Sequence, residues 1–171
     1  MIRRWFTKRF QLNRKDQALP LRHPQNMSKK IPKKNPRPGI DKYGRNKLHY
    51  AADAGDVEAV DSLLNQGLDI NAQDDNGWTA LHFAAQMNHA KVIELLLSKL
   101  ADPNLVDIHG NNPLWTATMK ARGNFRCVEL LLIAGSNPSA KNKHGRSPIK
   151  IAKTIANGLE VPFEKYGGNK A

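Results

Sequence analysis

Along residues 47–157 the apolar side chains come in short bursts rather than long runs. Leu48/Ala51/Ala52, Leu81/Ala84/Ala85 and Leu114/Ala117 recur at the spacing of one helix face, and their small members let neighbouring helices approach closely. Each burst is followed by a polar break, at Gly55-Asp56, Asn88-His89 or Gly123-Asn124, and then by a second apolar set. These sets are Val57/Val60/Leu63/Leu64, Val92/Ile93/Leu95/Leu96/Leu97 and Cys127/Val128/Leu130/Leu131/Leu132. The pattern predicts antiparallel helix pairs, an inner helix followed each time by an outer one.

The starts of the inner helices are legible too. Gly44, Gly77, Gly110 and Gly145 lie 33, 33 and 35 residues apart, and two positions after each stands Asn46, Thr79, Asn112 or Ser147. Each of those side chains can accept a hydrogen bond from a free N–H in the first helical turn. The next position is Lys47, Ala80, Pro113 or Pro148, and proline suits it because its missing N–H has no intrahelical acceptor there. Gly67 and Gly135 close the outer helices of two units, where a left-handed residue is wanted; Leu100 occupies that place in the unit between them. A repeat of this period marks a stacked array, in which each unit buries its apolar flank on the next.

In these residues the chain resembles the ankyrin-repeat family. Asp74-Asp75-Asn76-Gly77-Trp78-Thr79-Ala80-Leu81-His82-Phe83-Ala84-Ala85 is similar to the family's opening motif, and Gly67-Leu68-Asp69-Ile70-Asn71-Ala72 to its closing segment. The resemblance covers about residues 41–157. It implies an all-α fold: an ankyrin repeat solenoid of antiparallel helix pairs with β-hairpin-like turn fingers, three full repeats and a C-terminal partial capping repeat. The expected repeats are about 41–73, 74–106, 107–141 and 142–157, with residues 158–171 as a C-terminal cap and frayed tail. Two extra residues fall around Lys120-Ala121-Arg122-Gly123-Asn124, and Trp115, expected in the core, stands where the family has histidine. After Asn157, interruptions at Gly158, Pro162 and Gly167-Gly168 argue against a second helix in the last unit. Trp115 and that cap together resemble small bacterial ankyrin proteins.

Charge separates the repeats from what precedes them. Residues 1–40 hold 12 Lys or Arg against the single acid Asp16, and they also carry Pro20, Pro24, Pro32, Pro36 and Pro38. A segment of that composition is expected to be a disordered basic tail. Ile2, Trp5, Phe6 and Phe10 with Arg3, Arg4, Lys8 and Arg14 form an amphipathic pattern compatible with an acidic membrane surface or a transit peptide. Ser28-Lys29-Lys30-Ile31-Pro32-Lys33-Lys34 suits phosphate contacts equally, so nucleic-acid or acidic-membrane binding through residues 1–40 is the alternative function. Met27, directly before this basic run, is a second candidate for the natural start. Within the repeats, residues 41–107 carry a net charge of −6 and residues 108–171 a net +7. That is either a gradient that orients a charged partner or an arrangement of faces that cancels in space.

Candidate chemistry is sparse. One cysteine, Cys127, makes no internal disulfide, and its outer-helix position reads as core. No two of the six histidines have the i, i+4 spacing with a carboxylate that a hydrolytic zinc site needs, and the resemblance gives His49 and His82 a structural role. Asp53, Asp56 and Glu58 lack the alternation of a calcium loop, and Gly167-Gly168-Asn169-Lys170 lacks the gap and hydroxyl of a phosphate loop. No catalytic residue, metal, cofactor or small-molecule substrate is expected. With no bilayer-length apolar run and no secretory signal, the expectation is a soluble, cytoplasmic, monomeric, non-enzymatic protein.

What the resemblance does imply is a cupped surface, with turn tips as fingers and inner helices as palm, on which a protein partner binds. By position the fingers present Lys42, Tyr43 and Arg45, then Asp75, Asn76 and Trp78. They continue with Ile108, His109 and Asn111, then Lys143, His144 and Arg146. The palm adds Asp53, Gln86, Met87, Met119 and Lys120. Trp78, Tyr43, Ile108, Met87 and Met119 are apolar or aromatic where the repeat pattern does not require it, and such types are enriched at interface centres. Masking of a toxin or effector is the narrower expectation.

Overall fold

The computed structural model of the chain describes residues 38–155 and 157–168. The basic segment 1–37, with its amphipathic stretch, its basic run and Met27, and the final residues 169–171 lie outside the described residues. The described residues contain eight helices and no strand. They alternate as inner and outer members: α1 (Lys47–Ala54) with α2 (Val57–Asn65), α3 (Ala80–Gln86) with α4 (Ala90–Ser98), α5 (Pro113–Lys120) with α6 (Arg126–Ile133), and α7 (Pro148–Ile155) with α8 (Glu160–Tyr166). Inner helices stack in order, α1 on α3 on α5 on α7, and outer helices likewise, α2 on α4 on α6 on α8.

The core runs between these two layers. Leu48, Leu81 and Leu114 on the inner helices and Val60, Val92, Ile93, Leu96, Val128 and Leu131 on the outer ones are all essentially inaccessible. Ala52, Ala84 and Ala85 lie fully buried among them, and a methyl group there is what lets one inner helix sit against the next.

Helix starts follow the capping chemistry. Asn46 Oδ1 accepts from the His49 N–H at 3.2 Å while His49 Nδ1 accepts from the Asn46 N–H at 3.0 Å. Two orphan donors are thereby satisfied reciprocally, with histidine in the role glutamate usually plays. Thr79 and His82 repeat the arrangement, the Thr79 N–H donating to His82 Nδ1 at 3.1 Å. Asn112 caps the Trp115 N–H at 2.9 Å ahead of Pro113. Because Nδ1 accepts, the proton sits on Nε2, which donates from His49 to the Ala72 carbonyl at 2.9 Å and from His82 to the Asn111 carbonyl at 3.1 Å. Each histidine therefore ties a helix start to backbone further along the stack, and burial pushes both imidazoles below their ordinary 6.5.

Two expectations need correction. Trp115 is half-buried and outside the core cluster, whereas His49 and His82 at the corresponding positions are buried. An indole at this site is too large to occupy the slot that an imidazole fills between helix start and backbone. The second helix of the last unit does form. Pro162 falls in the first turn of α8, where its missing N–H would have had no intrahelical acceptor, so it does not break the helix. Leu159, Pro162 and Phe163 are buried, α8 packs on α6 and α7, and Gly158 turns the chain into it with φ of +86°. The result is a short helix that closes the array as a cap.

Candidate binding surface

Four carboxylate or amide side chains build the fingers. Asp41, Asp74, Asp107 and Asn142 each use Oδ1 to accept the N–H groups two and four residues on, at 2.8 to 3.1 Å. Each also donates its own N–H to the carbonyl four residues on, at 2.9 Å. A side-chain oxygen thus replaces one of the two backbone bonds of a hairpin pair, which explains fingers that resemble hairpins yet contain no strand. Adjacent fingers are joined by one backbone bond each: Asp75 N–H to the Tyr43 carbonyl, Ile108 to Asn76, and Lys143 to His109, all 2.9 Å. The packing is close: a Cβ on Gly44, whose φ is +81°, would lie 2.6 Å from the Asp75 carboxylate. Nothing lies near the corresponding point of Gly145, the outermost finger. Sequence reasoning treated Asp41, Asp107 and Asn142 as unremarked turn residues; their signal was an Asp or Asn three positions before every finger glycine.

The residues expected to bind divide into two groups. Tyr43, Met87, Ile108 and Met119 are 48–52% exposed, and Asp75, Asn76, His109, Lys120, His144 and Arg146 are exposed as well. Trp78 instead packs within its own unit, and Arg45 serves the joint between the first two units. Trp78 is half-buried, its ring edge-on to Phe83 at 5.1 Å and beside His82 at 5.7 Å. Arg45 lies over the Phe83 ring at 4.8 Å and over Tyr43 at 5.5 Å, and its Nε reaches Asp74 Oδ2 at 3.4 Å. The expectation that Trp78 is free of core packing is corrected accordingly. Asn111 is committed within the fingers, donating to Asp107 and accepting from Asn142 at 2.9 Å. Asp53 and Gln86 are half-buried, and the Asp53 carbonyl accepts from His89 Nε2 at 3.0 Å.

Two exposed apolar residues of the inner layer escaped sequence reasoning, Tyr50 on α1 and Ile155 at the end of α7. Tyr50 lies between Leu48 and Ala51, off the stripe that builds the core, which was the available signal. Its hydroxyl donates to Asp41 Oδ2. Ile155 follows Ile151 at the spacing of a core face and gives no such signal.

The charge difference between the two halves also resolves into faces. The inner helices carry Lys47, Lys120, Lys150 and Lys153 against Asp53 alone. The outer helices carry Glu58, Asp61, Glu94, Glu129, Glu160 and Glu164 against Lys91, Arg126 and Lys165. Ion pairs sit on the outer side, Lys99 with Asp61 at 2.8 Å and Arg126 with Glu94 at 3.5 Å, in addition to the Arg45–Asp74 pair of the fingers.

Burial pushes the Cys127 thiol up to about 11, which leaves almost no thiolate near neutral pH. Among the described residues no cluster of three or more His, Cys, Asp or Glu is placed to hold a metal ion, and no helix is long and apolar enough to cross a membrane. The clefts lie away from the fingers: one along α2 and α4 past Val57, Asp61 and Leu95, another at the far edge past Leu132, Ser136 and Tyr166.

Comparison with known proteins agrees with this architecture. The family model for ankyrin repeats (3 copies) matches residues 26–107 and, in an overlapping second match, residues 48–144. Phytochrome-interacting ankyrin-repeat protein 2 of Arabidopsis thaliana is 45% identical over 40 residues. That stretch covers 23% of this chain and 23% of the plant protein.

Proposed function

Because the chain belongs to the ankyrin-repeat family, whose stacked units are protein–protein interaction modules, we propose that it holds a protein partner against its fingers and inner helices. One observation carries this reading. Of the ten large hydrophobic residues exposed among the described residues, Tyr43, Tyr50, Met87, Ile108, Met119 and Ile155 belong to the finger and inner-helix layer. Apolar exposure concentrated on one layer of the stack is what a partner's interface requires.

The test is affinity capture from native lysate followed by mass spectrometry, with the wild type beside Met87→Asp/Met119→Asp. Both side chains are exposed, so the variant should melt like the wild type and lose the captured protein. Equal capture by both would reject this face. Trp78 is unsuitable for the purpose because its removal would damage core packing around Phe83. Whether the captured protein is a toxin or effector held masked is read from its identity.

A second reading rests on the excess of 12 basic residues over one acid in residues 1–40. It assigns that segment to nucleic acid or an acidic membrane, and predicts binding that falls steeply with salt and vanishes when residues 1–40 are deleted.

A further inference from the structure

We propose that the partner presents a polypeptide segment in which acidic and aliphatic side chains alternate, and that Lys120, Lys143 and Arg146 receive its carboxylates beside Ile108 and Met119. This inference rests on the finger-and-palm reading above and adds the chemistry of what is held there.

Charge on this part of the surface is one-sided. Between Asp107 and Glu160 the chain has a single carboxylate, Glu129, and that residue lies on the outer helix α6. Of the acids in fingers two and three, Asp74 and Asp107 are buried and bonded to backbone N–H groups of their own fingers, and Asp75 alone is exposed, on finger two. Lys120, Lys143 and Arg146 are exposed, and none forms an ion pair with a described carboxylate. Finger three is bonded to finger four, which sets Lys143 beside His109 and its neighbour Ile108, while Met119 and Lys120 lie at the far end of α5, so the segment runs from the fingers along the palm.

Not every lysine here belongs to the patch. Lys150 corresponds in register to His82 and Trp115, and Lys153 to Ala85 and Thr118, positions that face the next unit along the stack. No described unit covers the fourth, and both lysines are exposed on that edge.

The exposed large apolar side chains on the fingers and inner helices of the last two units are aliphatic: Ile108, Met119 and Ile155. Nucleic-acid grooves interleave cations with exposed aromatic rings for base stacking. In the last two units Trp115 and Phe125 are half-buried and Phe163 is buried, so a polypeptide with apolar side chains between its acids is the better fit.

The probe is a short fluorescent peptide of alternating Glu and Leu, titrated with the full chain and followed by anisotropy. Lys120→Glu/Lys143→Glu/Arg146→Glu is compared with Lys91→Glu/Arg126→Glu/Lys165→Glu, which changes net charge equally on the outer helices and leaves residues 1–40 untouched. The first set should weaken binding about tenfold or more and the second far less, with Met119→Ser weakening it as well. Equal weakening by both sets would mean that overall charge attracts the peptide, and no weakening by either would place the peptide elsewhere; each outcome overturns the proposal. So does an oligothymidylate whose binding depends on the same three residues. If the peptide fails while lysate capture is still lost in Met87→Asp/Met119→Asp, the partner chemistry is wrong and the face stands. Failure of both removes the face as well.

Discussion

Leu100 is the residue most visibly at odds with its surroundings. Its φ is +66°, where a Cβ is crowded by the following carbonyl, and Gly67 and Gly135 hold the same place in neighbouring units at +86°. At 86% exposure its side chain contributes little to the core in return. Leu100→Gly should therefore stabilise the protein by about 1 kcal/mol in urea melts; a clear loss would show that the cap depends on the leucine. His49 and His82 make a second prediction at this scale. Their folded-state pKa values lie below 6.5, so above that pH both states are neutral and the pair contributes no pH dependence. As pH falls below 6.5 the unfolded chain takes up protons first, and stability declines until the folded imidazoles are protonated too. Urea melts at about pH 7.5 and about pH 5 should show this loss, and His82→Gln should lose less over the same interval despite starting lower.

Individual helices here are only seven to nine residues long, too short to be stable alone, so each depends on its caps and on the neighbour it covers. α8 shows the balance. Its Pro162 and the glycines around it weaken any local preference for helix, yet Leu159 and Phe163 bury themselves against α6 and α7. Packing outweighs propensity at this position. Phe163→Ala should cost about 3 kcal/mol, read from urea melts, with circular dichroism showing whether α7 loosens with it. A negligible cost would mean that α8 rides on the array without supporting it.

For the array as a whole, stability is a sum of unit and interface contributions, and interior units have two interfaces where terminal ones have one. Residues 80–85 of α3 are buried without exception, whereas α7 buries only Pro148 and Ala152. Amide hydrogen exchange should accordingly be slowest in α3 and α5 and faster in α1 and α7. A uniform exchange profile would indicate that all units open together. The same stacking sorts charge by face: inner helices net basic, outer helices net acidic. A partner approaching from either side meets a different sign.

The first three helix pairs, the caps at Asn46, Thr79 and Asn112 and most of the buried leucines and alanines could be read directly from spacing. They follow from local rules, a period that sets which residues share a face and turn residues that set where each face begins. The fate of side chains at the joints between units did not follow from such rules. Trp78 and Arg45 looked free of core packing and lie against Phe83; Trp115 looked buried and is half-exposed; α8 looked broken and is folded. Each depends on what the fold places opposite it, Phe83 against Trp78 and Arg45 or α6 against Phe163. The division of charge between faces was hidden for the same reason, since only the packing of one unit on the next assigns a lysine to the palm, the outer side or the open edge.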